Sequence, residues 1–282
     1  MIVALGVIGF VFGIIIGSFL NVVALRYNTG RSLNGRSGCF SCGHTLHAKE
    51  LIPVFSWLFQ RGRCVYCSCK ISTYYIWGEL LAGVSFALVA LRFLFSGVRV
   101  TEIMNLPYII GTLFLWLVVA VLVIIFLYDI RHKIIPDKLS FWFSLLAFIS
   151  MWLFKFSDGI FTYVGFHIPT WSHFLAGILI PIPFILIWYL SKGRLIGLGD
   201  PKLMVGMGFL LGMQQGISSV MISFWLGAII VLGYMLIMSI RNKTLSMRPR
   251  VDIMKIEIPF APFLITGLLM VAISGLNIFA LL

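Results

Sequence analysis

The chain has 282 residues, 61% hydrophobic and 11% charged, with a mean hydropathy of +1.07 and a net charge of +12. A soluble domain averages about 25% charged residues, so this composition excludes a soluble globular protein, although length alone would suit two such domains. It implies a polytopic membrane protein, whose basic balance must be read against topology before it is read as affinity for nucleic acid.

Apolar spans fall at 2–25, 74–95, 107–128, 139–156, 173–190, 203–215, 217–240 and 260–282, judged against the roughly 20 residues a bilayer core requires. The first lacks a basic n-region and a small-residue cleavage site, so it reads as a retained helix rather than a signal peptide. The 203–215 span is short, which suits a tilted path, a partly re-entrant one, or continuity with the loop before it. Eight spans return both termini to the same side. Of the 21 Lys and Arg residues, 18 fall in the connections 26–73, 129–138, 191–202 and 241–258. The other side holds only Arg92, Arg99 and Lys155. The positive-inside rule places the 18 in the cytoplasm and both termini outside. Topology thus accounts for the basic balance, and no nucleic-acid partner is needed to explain it.

In the first span, Gly9, Gly13 and Gly17 recur every four residues, with Asn21 next on the same face. Such a stripe lets a second helix approach closely, and an amide near the membrane boundary calls for a partner. Residues 26–73 form the one sizeable soluble piece and hold all five cysteines: Cys39-x-x-Cys42, Cys64-x-x-Cys67 and Cys69. Two such knuckles suit a tetrahedral zinc site at Cys39, Cys42, Cys64 and Cys67. A segment this short builds a poor core, and a metal would supply folding energy. The competing reading, a pair of disulfides, conflicts with a reducing cytoplasm. Cys69, His44 and His47 could each replace a ligand, but they read as spectators. The apolar residues between the knuckles, Leu51 to Phe59, read as a small core or a face on the membrane. Glu79 stands inside the second span as a headgroup contact or a partner for a cation such as Lys202 or Arg131.

The connection 157–172, with Asp158 and His167, reads as loop. Pro181 and Pro183 should kink the fifth helix. The basic 241–258 connection suits contact with anionic lipid headgroups. The expected architecture is all-α and polytopic, with about eight transmembrane helices and a small cytoplasmic zinc-knuckle domain. Its parts are a first helix at 1–25, the cysteine domain at 26–73 and a membrane domain at 74–282. No Walker-type loop, dinucleotide fingerprint or Ser/His pair stands out.

Two acids end apolar runs on the cytoplasmic side: Asp129 in Tyr128-Asp129-Ile130, and Asp200 in Gly197-Leu198-Gly199-Asp200-Pro201-Lys202. If they meet, the two carboxylates share a proton. The ionised one activates water against a carbonyl, and the protonated one polarises that carbonyl. Three other roles compete at this point. Each acid may cap a helix, pair with Lys202, Lys133 or Arg131, or line a cation path in a transporter.

Eight motifs taken together resemble the bacterial type IV prepilin leader peptidases. They are Gly17-Ser18-Phe19-Leu20-Asn21-Val22-Val23, the two cysteine knuckles with their flanks, Leu51-Ile52-Pro53-Val54-Phe55-Ser56-Trp57-Leu58, Glu79-Leu80-Leu81-Ala82-Gly83, Asp129 with Ile135-Pro136-Asp137, the Gly197–Leu203 run, and Ile258-Pro259-Phe260-Ala261-Pro262-Phe263-Leu264. Gly38, Ser68, Ile76 and Ala261 depart from the family pattern, but none of these positions is one of the two aspartates or the four knuckle cysteines.

The resemblance implies a bifunctional membrane aspartic endopeptidase with Asp129 and Asp200 as its dyad. Its substrate would be a prepilin or pseudopilin, cut after a glycine at the cytoplasmic face of the inner membrane. The new N-terminal amine would then be methylated from S-adenosylmethionine. The rivals are a cation or proton transporter with a zinc-knuckle regulatory domain and a membrane-tethered zinc-knuckle binding module. Nothing in the chain sets the oligomeric state.

Overall fold

Apolar runs fold as helices here because, in a bilayer, each backbone N–H and C=O must find its partner within the segment. In the computed structural model the described residues are 2–30, 32–95, 106–157, 160–164, 169–244 and 258–280. Asp158, His167, Arg99 and residues 245–257 of the basic connection lie outside them. Five stretches are long and apolar enough to cross a membrane: Val3–Arg26, Tyr74–Arg92, Tyr108–His132, Trp171–Ser191 and Gly199–Met238. Each of the eight expected spans falls on helix.

The chain divides into two compact units, Met1–Tyr128 and Asp129–Leu282. The first contains α1 (Ile2–Arg26), the cysteine region with its one-turn α2 (Phe55–Phe59), α3 (Tyr74–Phe95) and most of α4 (Leu106–His132). Helices α1 and α3 pack along the glycine stripe. A Cβ on Gly13 would lie 2.7 Å from the Ala82 carbonyl oxygen and 2.8 Å from the Gly83 Cα, and Gly9 and Gly17 meet α3 as closely. The stripe is therefore a helix-packing device. Asn21, fully buried beside it, donates from Nδ2 to the Tyr75 carbonyl at 2.8 Å, the partner its position called for.

The second unit contains α5 (Asp137–Leu153), a short antiparallel hairpin β1 (Phe154–Ser157) and β2 (Ile160–Val164), α6 (Trp171–Leu179), α7 (Ile182–Ser191), α8 (Gly199–Thr244) and α9 (Ala261–Ser274). The hairpin modifies the all-α expectation locally. The 139–156 span stops being helical at Leu153, and part of the expected loop is strand. Pro181 and Pro183 do more than kink the fifth helix as expected: one helix ends at Leu179 and another starts at Ile182, because proline lacks the N–H that would continue the ladder. The two spans expected at 203–215 and 217–240 belong to one helical run, α8, interrupted at Gly212. Its φ of 77° and ψ of −173° are open essentially to glycine alone.

Helices α5, α6 and α9 pack against α8. Their buried residues recur at helical spacing: Phe143, Ala147 and Met151 on α5, Leu203, Met207 and Leu210 on α8, and Leu264, Leu268 and Val271 on α9. Where α8 and α9 meet, Ser219, Ser223 and Gly267 are small enough for close approach. The Ser223 hydroxyl is satisfied by the Ser219 carbonyl at 2.7 Å.

Candidate active site and metal centre

The second unit gathers the two acids from three helix ends. Helix α4 terminates at Lys133, whose left-handed φ of 55° and N–H bond to the Asp129 carbonyl at 2.7 Å close the last turn. This places Asp129 in that turn, 3% exposed. Its Oδ2 accepts the Ala261 N–H at 3.1 Å. Ala261 is the first residue of α9, and its amide is one of the N–H groups a helix cannot satisfy internally. The next residue, Pro262, has no N–H to offer. Asp129 therefore binds the start of α9 and faces the partial positive charge of that helix N-terminus.

Asp200 is the second residue of α8, half-buried, with Pro201 behind it. A proline in the first turn sacrifices no hydrogen bond, because the helix lacks partners there anyway. Gly199 brings this helix start against the loop that leaves α4. A Cβ on Gly199 would lie 2.8 Å from the Ile135 Cβ, whereas one on Gly197 would meet only the Gly199 nitrogen at 4.0 Å. The second glycine of the Gly-x-Gly-Asp motif is thus the one the packing requires. The same junction is clamped on its exposed side by Lys202, whose Nζ donates to the Asp137 Oδ1 at 2.6 Å. This packing brings the start of α8, with Asp200, to the end of α4, where Asp129 lies, from positions 71 residues apart in sequence.

The paired Lys202 is not left for either candidate acid, nor for Glu79. Glu79, 7% exposed, accepts the Val54 N–H at 2.7 Å and a hydroxyl bond from Ser18. These are its partners, in place of the cation expected from sequence. Val54 has a φ of 63°, uncommon for a β-branched residue, and Glu79 holds it there. Sequence reasoning missed the Ala261 amide as the partner of Asp129. Its signal was the Pro259-Phe260-Ala261-Pro262 motif, read only as the beginning of a helix.

In the first unit the sulfurs of Cys39, Cys64, Cys67 and Cys69 lie within 4.8 Å of one another. Cys39 is 3.7 Å from Cys67 and 3.4 Å from Cys69. Four thiolates at a Zn–S distance of about 2.3 Å in a tetrahedron stand about 3.8 Å apart, so the donor set and spacing fit zinc. The N–H groups of Cys42 and Ser41 point at the Cys39 sulfur and lower its thiol from the ordinary 9.0 to about 6. The thiolate is the metal-binding form. Cys42, expected as a ligand, is exposed and lies outside this group, and Cys69 takes the fourth place in it. No histidine joins the thiol group among the described residues.

Two family models match the chain in order: Bacterial Peptidase A24 N-terminal domain over residues 11–93, and Type IV leader peptidase family over residues 116–232. The first covers the cysteine region and the second covers Asp129 and Asp200. A prepilin leader peptidase/N-methyltransferase of Bacillus subtilis (strain 168) is 28% identical over 221 residues, covering 78% of this chain and 79% of its own. One of Aeromonas hydrophila is 29% identical over 286 residues, covering 90% and 86%. One of Myxococcus xanthus is 46% identical over 85 residues, covering 30% and 25%. No solved structure matches. None of these matches supports transport.

Proposed function

The chain belongs to the type IV leader peptidase family, and from that premise we propose that Asp129 and Asp200 hydrolyse the leader peptide bond of a prepilin or pseudopilin. The observation that carries this reading is the packing that draws the start of α8, with Asp200, to the end of α4, where the Ala261 amide holds Asp129. Close carboxylates cannot both ionise cheaply, so the pair works with one proton between them. The ionised member takes a proton from water as the oxygen attacks the scissile carbonyl. The protonated member donates to the carbonyl oxygen, and the leaving amine is protonated as the tetrahedral intermediate collapses. No covalent enzyme intermediate is needed. The bond between Asp129 and the Ala261 amide supports a fixed orientation for one member of the pair.

Topology supplies the substrate geometry. With the basic connections inside and both termini outside, Asp129, Asp200 and the cysteine domain at 26–73 face the cytoplasm of the inner membrane. A prepilin whose helix lies in the bilayer and whose leader lies in the cytoplasm presents its scissile bond at that depth. The same enzyme methylates the new N-terminus, as the names of the relatives indicate for those proteins. S-adenosylmethionine is the methyl donor the family implies. The described residues form no parallel-sheet nucleotide fold. Zinc would be held by the cysteine cluster and would act as a structural cross-link, since thiolates fill its coordination positions.

The test is cleavage of a prepilin with a Gly-Phe or Gly-Met junction, read as a gel shift in detergent or liposomes. Wild type should cut, and Asp129→Asn and Asp200→Asn should each lose activity by at least about 10²-fold. A folded variant that cuts at the wild-type rate would remove its aspartate from the dyad.

A further inference from the structure

The two cysteine turns share one backbone pattern. In the first, the Cys39 N–H donates to the His44 carbonyl, the Gly43 N–H donates to the Cys39 carbonyl, both at 2.9 Å, and Gly38 bridges Thr45. In the second, the Cys64 N–H donates to the Cys69 carbonyl, the Ser68 N–H donates to the Cys64 carbonyl, again at 2.9 Å, and Arg63 bridges Lys70. Gly43 and Ser68 both turn through positive φ, 71° and 55°. Position by position, Cys42 corresponds to Cys67, and Cys69 corresponds to His44.

This correspondence gives two different answers for the fourth ligand. By the repeat, Cys42 should ligate because Cys67 does. By distance, Cys69 already stands in the cluster, 3.4 Å from Cys39, with Cys39, Cys64 and Cys67. His44, the counterpart of Cys69, is turned aside with its ring centroid 3.6 Å from that of Tyr66. Cys42 stands outside that cluster, exposed, three residues on from Cys39 in the same turn. Five thiols in the two turns therefore compete for one tetrahedral site that takes four. We propose that Cys39, Cys64 and Cys67 hold the metal permanently, and that its fourth thiolate is supplied by either Cys42 or Cys69. The exchange of one thiolate for the other leaves the charge and the ligand count of the centre unchanged and requires no oxidant.

The experiment uses the full chain purified in detergent, as wild type, Cys42→Ser, Cys69→Ser and the double variant, loaded with zinc or with cobalt as a spectroscopic probe. Zinc per protein is measured after a chelator challenge, and the thiolate-to-cobalt absorption reports the number of sulfur ligands. Both single variants should keep one equivalent of zinc and a four-thiolate cobalt spectrum. The double variant should show a three-thiolate spectrum and lose its zinc to a chelator that leaves wild type loaded. Loss of zinc in Cys42→Ser alone, or in Cys69→Ser alone, overturns the proposal by fixing a single ligand set. Retention of four thiolates in the double variant overturns it by placing the fourth ligand elsewhere. Should the double variant not fold, the two single variants still decide.

Discussion

Alanine at Gly199 adds one carbon where the start of α8 meets Ile135. That Cβ would stand 2.8 Å from the Ile135 Cβ and 3.2 Å from its Cγ1 and Cδ1. Carbon atoms in contact prefer about 3.5–4.0 Å, so one side must retreat by roughly 0.7–1.2 Å. The nearest atom is a backbone-proximal Cβ on a buried residue, not the free end of a flexible chain. Overpacking of this kind typically costs about 1–3 kcal/mol. Its catalytic effect should exceed its effect on folding, because the next residue is Asp200 and a misplacement of about 1 Å can cost about 10²-fold in rate. Gly199→Ala should thus reduce prepilin cleavage by roughly ten- to a hundredfold while the protein still inserts and purifies. Gly197→Ala is the control. Its Cβ finds only the Gly199 nitrogen at 4.0 Å, so its rate should stay within about twofold of wild type. Cleavage rates on one prepilin under identical detergent conditions compare the two. Wild-type cleavage by Gly199→Ala, or greater damage from Gly197→Ala, would refute the packing argument.

Other expectations follow from single contacts. Asp129→Ala should unfold more readily than Asp129→Asn by about 1–3 kcal/mol, since only the amide still accepts the buried Ala261 N–H; thermal melts of the purified variants measure this, and equal melting temperatures would contradict it. Lys202→Ala breaks a pair whose side chains are 43% and 75% exposed, so stability should change by less than about 1 kcal/mol. Its cleavage rate should follow suit, and a large loss would mean that Lys202 acts on the reaction itself. Gly13→Val forces a branched side chain against the Ala82 carbonyl and should reduce the yield of folded protein in membranes. Stripping zinc with a strong chelator should open residues 27–73 to limited proteolysis, and an unchanged cleavage pattern would argue against a structural metal.

Much of the architecture could be read from one dimension because a bilayer imposes a strong local rule. Segments must be apolar, about 20 residues long, and internally hydrogen-bonded. Hydropathy alone therefore located the helical segments, though not where each begins and ends, and charge asymmetry supplied an expected topology. The break in α8 was expected near its true position but not at Gly212 itself, because glycine inside a helical pattern is tolerated as often as it breaks one. The hairpin after Leu153 was missed since Phe154, Phe156 and their neighbours read equally well as the end of an apolar helix.

At the candidate site, residue types and motifs were enough to single out Asp129, Asp200 and the cysteine pairs, because acids at membrane boundaries and paired thiols are chemically costly and rarely incidental. Partners were another matter. That Asp129 would take the Ala261 amide, that Lys202 would take Asp137, and that Glu79 would take Val54 instead of a cation depend on which helix ends converge. The same holds for the fifth thiol. Spacing alone presents Cys69 as an extra, and only the turn that folds it back beside Cys64 brings its sulfur within 3.4 Å of Cys39. Composition and periodicity are properties of segments and survive in the sequence. Pairings between segments depend on the packing of side-chain surfaces in three dimensions, and the tertiary structure alone decides them.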